Sequence, residues 1–181
     1  MLINVIDIEA SCWLGHPPDG QSQEIIEIGI AVIDQDKKEI ISKESIKVKP
    51  CMSEISEFCT KLTGWTKEAL QDGLSYKQAL VKLEEDYKCR ERIWISCGNF
   101  DKNMFKRQCA AMGLANPLSE NHVNIKALHS ILTGRKMREG MTGLLQLYGL
   151  ELEGQHHNGA DDAYNIAKVV VEMLKRGSFK L

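Results

Sequence analysis

The six cysteines, at 12, 51, 59, 89, 97 and 109, contain no C-x-x-C pair, so neither a zinc site nor a dithiol redox motif is indicated. They are expected as reduced core residues, which fits a cytoplasmic protein. No apolar run is long enough to span a membrane, and strand-like sequence starts at the first residues, so no membrane association and no signal peptide are expected. Positive charge is not in excess either. The net charge is −2, which excludes the global basic field of a passive nucleic-acid binder. A polyanionic partner would have to be drawn by local basic patches or by bound metal. Internal repeats and low-complexity segments are also absent. What remains is a chain of 181 residues, long enough to bury a substantial core as one domain over 1–181.

The most informative stretch is Ile3-Asn4-Val5-Ile6-Asp7-Ile8-Glu9. It is apolar and β-branched, as a buried strand should be, yet it carries two acids. Strand alternation points Asp7 and Glu9 the same way. Burying two carboxylates side by side is costly, and no Lys or Arg lies within the run to offset it. Either a divalent cation with oxygen ligands sits over them, or the strand ends at Asp7 and both acids face water.

The rest reads as alternating strands and helices. Residues 25–33 and 39–49 complete a three-stranded meander with the first strand. A helix starts at 53–56 and stops at Gly64, a short helical piece is expected at 66–70, and Ser75 caps a helix with apolar residues at 76, 80, 83 and 87. A buried strand at 93–97 leads into a helix to about Met112. A fifth strand at 121–125 is followed by helices at 126–132, 141–148 and 160–175. The order suits an α/β fold with one five-stranded mixed sheet and helices on both faces. Between them lie a Gly- and Pro-rich loop at 13–22 and a basic, Gly-flanked loop at 133–140.

Helical periodicity locates two further acids. In the last helix Asp162 shares a stripe with Ile166, Val169 and Met173, whereas Asp161 shares one with Asn165, Lys168 and Glu172, expected to face solvent. Asp101 shares its stripe with Phe105 and Met112, Gln108 being the polar exception. Each of Asp101 and Asp162, taken singly, could be a helix cap or a ligand. Four inward acids at the ends of core elements would be satisfied together by two divalent ions, an arrangement suited to phosphoryl chemistry. His157, five residues before Asp162, is either a surface loop histidine or a base for a metal-bound water. His156 is expected to point elsewhere.

Asp7-Ile8-Glu9, Asn99-Phe100-Asp101 and His157-Asn158-Gly159-Ala160-Asp161-Asp162 together resemble the three motifs of the DEDDh (DnaQ-like) exonucleases, which have a ribonuclease H-like fold. The likeness is greatest to the branch containing the histone-mRNA 3′-end and RNA-interference-regulating exonucleases, through 7–13, 24–29, 58–64 and 157–167. Tyrosine-bearing sister families would want Tyr at position 157. The resemblance implies that Asp7, Glu9, Asp101 and Asp162 hold two Mg²⁺ or Mn²⁺ ions, with His157 as general base. It implies that Phe58, Leu62 and Phe100 cradle the terminal base, although Phe58 and Leu62 could equally be core residues. Backbone at Ala10 would meet the terminal 3′-hydroxyl. Arg135, Lys136 and Arg138 either contact the substrate backbone or form a solvated charge run.

The implied function is a metal-dependent 3′→5′ exonuclease that releases nucleoside 5′-monophosphates from the 3′ ends of single-stranded RNA or DNA, RNA favoured. The alternatives are a proofreading or repair-type DNA exonuclease and a non-catalytic nucleic-acid-binding protein on the same fold.

Overall fold

Residues 1–136 and 138–178 are described by the computed structural model. Its strands are β1 (Leu2–Ala10), β2 (Ile25–Asp34), β3 (Glu39–Lys47), β4 (Trp94–Ser96) and β5 (His122–Asn124). Its helices are α1 (Glu57–Thr63), α2 (Tyr76–Glu85), α3 (Phe100–Ala111), α4 (Ile125–Thr133), α5 (Met141–Tyr148) and α6 (Gly159–Lys175). The strands form one sheet in the order β3-β2-β1-β4-β5. The meander pairs are antiparallel, whereas β1, β4 and β5 run parallel. The expected mixed sheet of five strands is thus present.

β1 and β2 lie at the centre and are covered on both faces, which is why they read as almost unbroken Ile/Val runs. Ile6, Ile8 and Ala10 pack with α2 and α3 through Tyr76, Leu83, Met104 and Phe105. Ile3 and Val5 pack on the other face with α4, α5 and α6 through Ile125, Leu144, Ile166 and Val170. Alternation therefore turns Asp7 and Glu9 towards the α6 face.

The sheet ends unevenly, and that opens a crevice. β4 pairs with β1 only at Asn4↔Trp94 and Val5↔Ile95. It stops at Ser96, so Asp7 to Glu9 run on without a β4 neighbour. In open α/β sheets, ligands bind in such crevices outside the carboxyl ends of parallel strands.

Four expectations need correction. Residues 66–70 form turns rather than a helix; the stretch is too short to nucleate one and buries only Leu70. Asn165 is fully buried, not solvated, because its side chain bonds the Glu153 backbone and the Asp161 carbonyl. Met112 is 40% exposed, since α3 has already ended at Ala111. Among the cysteines, 59, 89 and 109 are buried, but 12 and 97 are half-buried and Cys51 is exposed. In the basic loop, Met137 lies outside the described residues. No described helix is long and apolar enough to cross a membrane.

Candidate active site

At the crevice, β1 contributes Asp7 and Glu9, the first turn of α3 contributes Asp101, and the first turn of α6 contributes Asp162. Glu9, Asp101 and Asp162 are each less than a tenth exposed. One carboxylate oxygen from each of Asp7, Glu9 and Asp162 lies within 4.8 Å of the others. Asp101 faces the same cleft of about 350 Å³, held by the Ile8 backbone N–H, which donates to its Oδ1 at 3.0 Å.

Close packing brings α6 to the strands. A Cβ on Gly29, the residue paired with Asp7, would stand 1.9 Å from the Gly159 carbonyl carbon, so only glycine lets the helix start rest there. The buried Glu27 carboxylate accepts from Gly159 N at 2.9 Å and Ala160 N at 3.3 Å. It also accepts from Trp65 Nε1 at 2.7 Å and the Ser45 hydroxyl at 2.6 Å. A carboxylate beneath a helix N-terminus is favoured by the helix dipole.

Capping does not explain Asp162. The α6 cap is Asn158, whose side chain accepts from Asp161 N at 3.1 Å. Asp162 Oδ2 instead accepts from His156 Nδ1 at 2.8 Å and from His157 N at 3.0 Å. Its Oδ1 is buried without a hydrogen-bond partner. Asp161 points away, to Lys43 and to Gln155 N at 2.8 Å. His157 sits at φ 66° in the left-handed region, at the turn entering α6, and lines the cleft.

Comparison with known proteins gives the family and the fold. The family model described as Exonuclease (RNase_T) matches residues 5–170. The chain belongs to the exonuclease family. It is 30% identical over 185 residues to 3′-5′ exoribonuclease 1 of Rattus norvegicus, covering 97% of this chain and 53% of that protein. ERI1 exoribonuclease 3 of Homo sapiens is 30% identical over 186 residues, covering 96% and 53%. The chain thus spans about half the length of the curated relatives it matches. Its structure resembles the nuclease domain of 3′hExo, a DEDDh family member bound to rAMP, with TM-score 0.88 and 28% identity, covering 97% of this chain and 92% of that one. The DEDDh resemblance and the ribonuclease H-like fold are both borne out.

Electrostatics at this site follow from crowding. Burial first, then Asp101, Asp162 and Glu9, push the Asp7 carboxyl well above its ordinary range. Burial and then Asp162 push Glu9 up to about 8. Asp101 is raised by burial to about 6, against the opposing pull of the Ile8 N–H and of Lys126. Asp162 is raised mainly by burial, and the His156 hydrogen bond opposes it. Protons or a cation must neutralise such a set. An orphaned buried oxygen beside two more carboxylates fits a hard divalent cation, so these residues suit the metal that the fold implies. His157 is depressed by burial and by His156, with Asp162 acting the other way.

His156 does not point elsewhere. It bonds Asp162 and stacks on His157 with ring centroids 4.0 Å apart and an interplanar angle of 15°. Lys126 on α4 also lines the cleft, has no ion pair among the described residues, and was not foreseen. The only signal for it was its place just after a short strand. Phe100 lines the cleft and is 51% exposed. Phe58, at 38% exposed, is not a core residue, while Leu62 is half-buried. α1, which carries both, is tied to the end of β1: Cys59 Sγ lies 3.7 Å from the Ala10 carbonyl, and the Ser56 hydroxyl donates to the Cys12 carbonyl at 2.6 Å. Arg135, Lys136 and Arg138 are exposed and stand outside the cleft wall, to which their loop leads through Gly140 and Met141.

Proposed function

We propose that this chain is a 3′→5′ exonuclease that shortens single-stranded RNA, releasing nucleoside 5′-monophosphates. The observation that carries this reading is the meeting of Asp7, Glu9 and Asp162 within 4.8 Å, with Asp162 Oδ1 buried and unpaired and an imidazole beside them. Asp7, Glu9, Asp101 and Asp162 would hold two divalent cations, Mg²⁺ or Mn²⁺. Such ions supply Lewis acidity at the scissile phosphate and charge neutralisation for the departing 3′-oxygen.

The chain's own groups do the rest. Neutral His157 takes a proton from the attacking water, whose oxygen bonds to phosphorus as the bond to the penultimate 3′-oxygen breaks. Burial favours the neutral imidazole that this step needs. His156 fixes Asp162 Oδ2 and leaves Oδ1 unpaired for a cation. Phe100 offers a face to the terminal base, Phe58 and Leu62 flank it, and the Ala10 backbone meets the 3′-hydroxyl. Arg135, Lys136 and Arg138 contact the phosphate backbone of the incoming strand. RNA is favoured because the relatives at 30% identity are exoribonucleases.

A 5′-labelled oligonucleotide incubated with Mn²⁺ tests the proposal. Laddering from the 3′ end, abolished by EDTA and faster on RNA than on matched DNA, is expected. Binding without cleavage would make the protein a non-catalytic binder, and faster cleavage of DNA would overturn the RNA assignment.

A further inference from the structure

The cleft carries one positive charge that the reaction above leaves without a role. Lys126 is the second residue of α4, which follows β5 directly, so its first turn stands at the carboxyl ends of the parallel strands. A lysine in the first turn of a helix opposes the helix dipole and is disfavoured there. Among the described residues no ion pair offsets the misplacement. The side chain is half-buried and lines the cleft together with Asp7, Glu9, Asp101 and Asp162. A cation set against the dipole and left unpaired brings nothing to α4 itself, so its use lies in the cleft.

Local bonds fix where that charge is. Asn124 caps α4, its Oδ1 accepting from Lys126 N at 3.1 Å and from Ala127 N at 3.4 Å, while its Nδ2 donates to Asn99 Oδ1 at 3.2 Å. The last bond ties the start of α4 to the turn that launches α3 and Asp101. The lysine stem passes Gly98 in the same turn, where a Cβ would stand 3.9 Å from Lys126 Cδ. Burial raises the Asp101 carboxyl and the Cys97 thiol, and the Lys126 charge pulls both back. Burial also raises Asp162, but His156 and His157 are the charges that pull it back. The histidines and the lysine thus attend different acids of one set. The start of α5 adds to the positive side: Gly140, Met141 and Thr142 line the cleft, and no side chain caps that helix among the described residues. Once cations neutralise the acids, this wall remains positive, and what it attracts is an anion. At a nucleic-acid 3′ end in this cleft, that anion is the phosphate being cleaved.

We infer that Lys126 is a further substrate-binding residue of this reaction, its ammonium holding a non-bridging oxygen of the scissile phosphate. The inference rests on the proposed exonuclease activity, and the ligands below separate the two. A compact ammonium on a flexible stem suits such a contact, and hydrogen bonds between charged groups are among the strong ones. AMP, a nucleoside 5′-monophosphate of the kind released, keeps that phosphate, whereas adenosine lacks it. Titration calorimetry in Mn²⁺ measures the binding of each without turnover. The wild type is expected to bind AMP more tightly than adenosine. Lys126→Met should lose about tenfold in AMP affinity, as for one charged hydrogen bond, and leave adenosine unchanged. Lys126→Arg should recover most of the loss, because it keeps the charge and the donors. On a ten-nucleotide single-stranded RNA, Lys126→Met should lower kcat/KM by about tenfold or more. Removing a positive charge beside the acids should leave Mn²⁺ affinity unchanged or raise it, which a thermal-shift titration with MnCl₂ reads separately.

Where the wild type degrades RNA, an unchanged preference for AMP over adenosine in Lys126→Met would overturn the role of Lys126 alone. A melting temperature lowered at the same time would show that the lysine only balances the acids. A fall in Mn²⁺ affinity large enough to account for the lost AMP binding would also overturn it. A wild type that cleaves no RNA yet distinguishes AMP from adenosine through Lys126 would overturn the activity and support the phosphate contact. A wild type that does neither would overturn both.

Discussion

Asp162 and Asp161 are neighbours with opposite surroundings, and the difference gives the sharpest test at the residue scale. Asp162 is buried with Oδ1 unpaired, whereas Asp161 is bound to Lys43 and Gln155 N. Asp162→Asn should lower kcat by more than about 100-fold, beyond what losing an outer partner of a metal ligand costs. Asp161→Asn should stay within about threefold, because a partly exposed ion pair contributes little. The reverse ranking would mean that the wrong side chain has been placed at the cations. The acids also set a pH dependence of stability. Glu9 is raised from 4.5 to about 8, so the native state binds more protons than the unfolded chain between those values. The contribution of Glu9 to stability without metal is full below pH 4.5 and is lost as pH rises towards 8. Millimolar Mn²⁺ binds the ionised native site and should raise the melting temperature most at the alkaline end. Melting curves at pH 5 and pH 8, with and without Mn²⁺, check both signs. For catalysis, His157 is depressed below 6.5, so with saturating metal the rate should rise with pH along a limb lying below that value. A rate that climbs along a limb below 6.5 and then levels fits; a limb above 6.5, or a rate without any such limb, would remove His157 as the base.

Elements matter because three of them must end at one place. The start of α6 rests on Gly29 and is held by Glu27. Gly29→Ala drives a Cβ into the Gly159 backbone and should destabilise the fold by more than about 3 kcal/mol, the upper range for overpacking. Glu27→Ala leaves buried donors unpaired and should cost about 2–3 kcal/mol. Urea unfolding measures both, and wild-type stability in either variant would contradict this account of how the helix is seated. The elements were largely readable in the sequence because their signals are local. Ser75 caps its helix as its position suggests, whereas the first helix, expected from Ser53, begins only after the Ser56 cap, and alternation around Asp7 and Glu9 gives the face. The inward register of Asp101 and Asp162 was equally open to a periodicity argument. What could not be read depends on distant contacts. Glu27 looks like one more polar residue in an apolar strand until Gly159 and Trp65 meet it. His156 and Lys126 reach the site through a turn and a crossover whose geometry no local pattern encodes. Asn165 follows a solvated stripe by spacing, yet is buried because the 149–154 loop lies over it and bonds it through Glu153.

At the scale of the chain there is no excess of positive charge to draw a nucleic acid. Its net charge is −2, and its candidate site concentrates negative charge, so cations must come before a polyanionic substrate can. This ties fold, stability and activity to one event: the loading of a pocket made by β1, α3 and α6. Manganese anomalous scattering from a crystal soaked in MnCl₂ tests that event directly. Anomalous peaks are expected within coordination distance of Asp7, Glu9 and Asp162, one of them at Asp162 Oδ1, and a second ion reaching Asp101. An empty pocket at saturating Mn²⁺, or manganese bound only elsewhere on the surface, would contradict it.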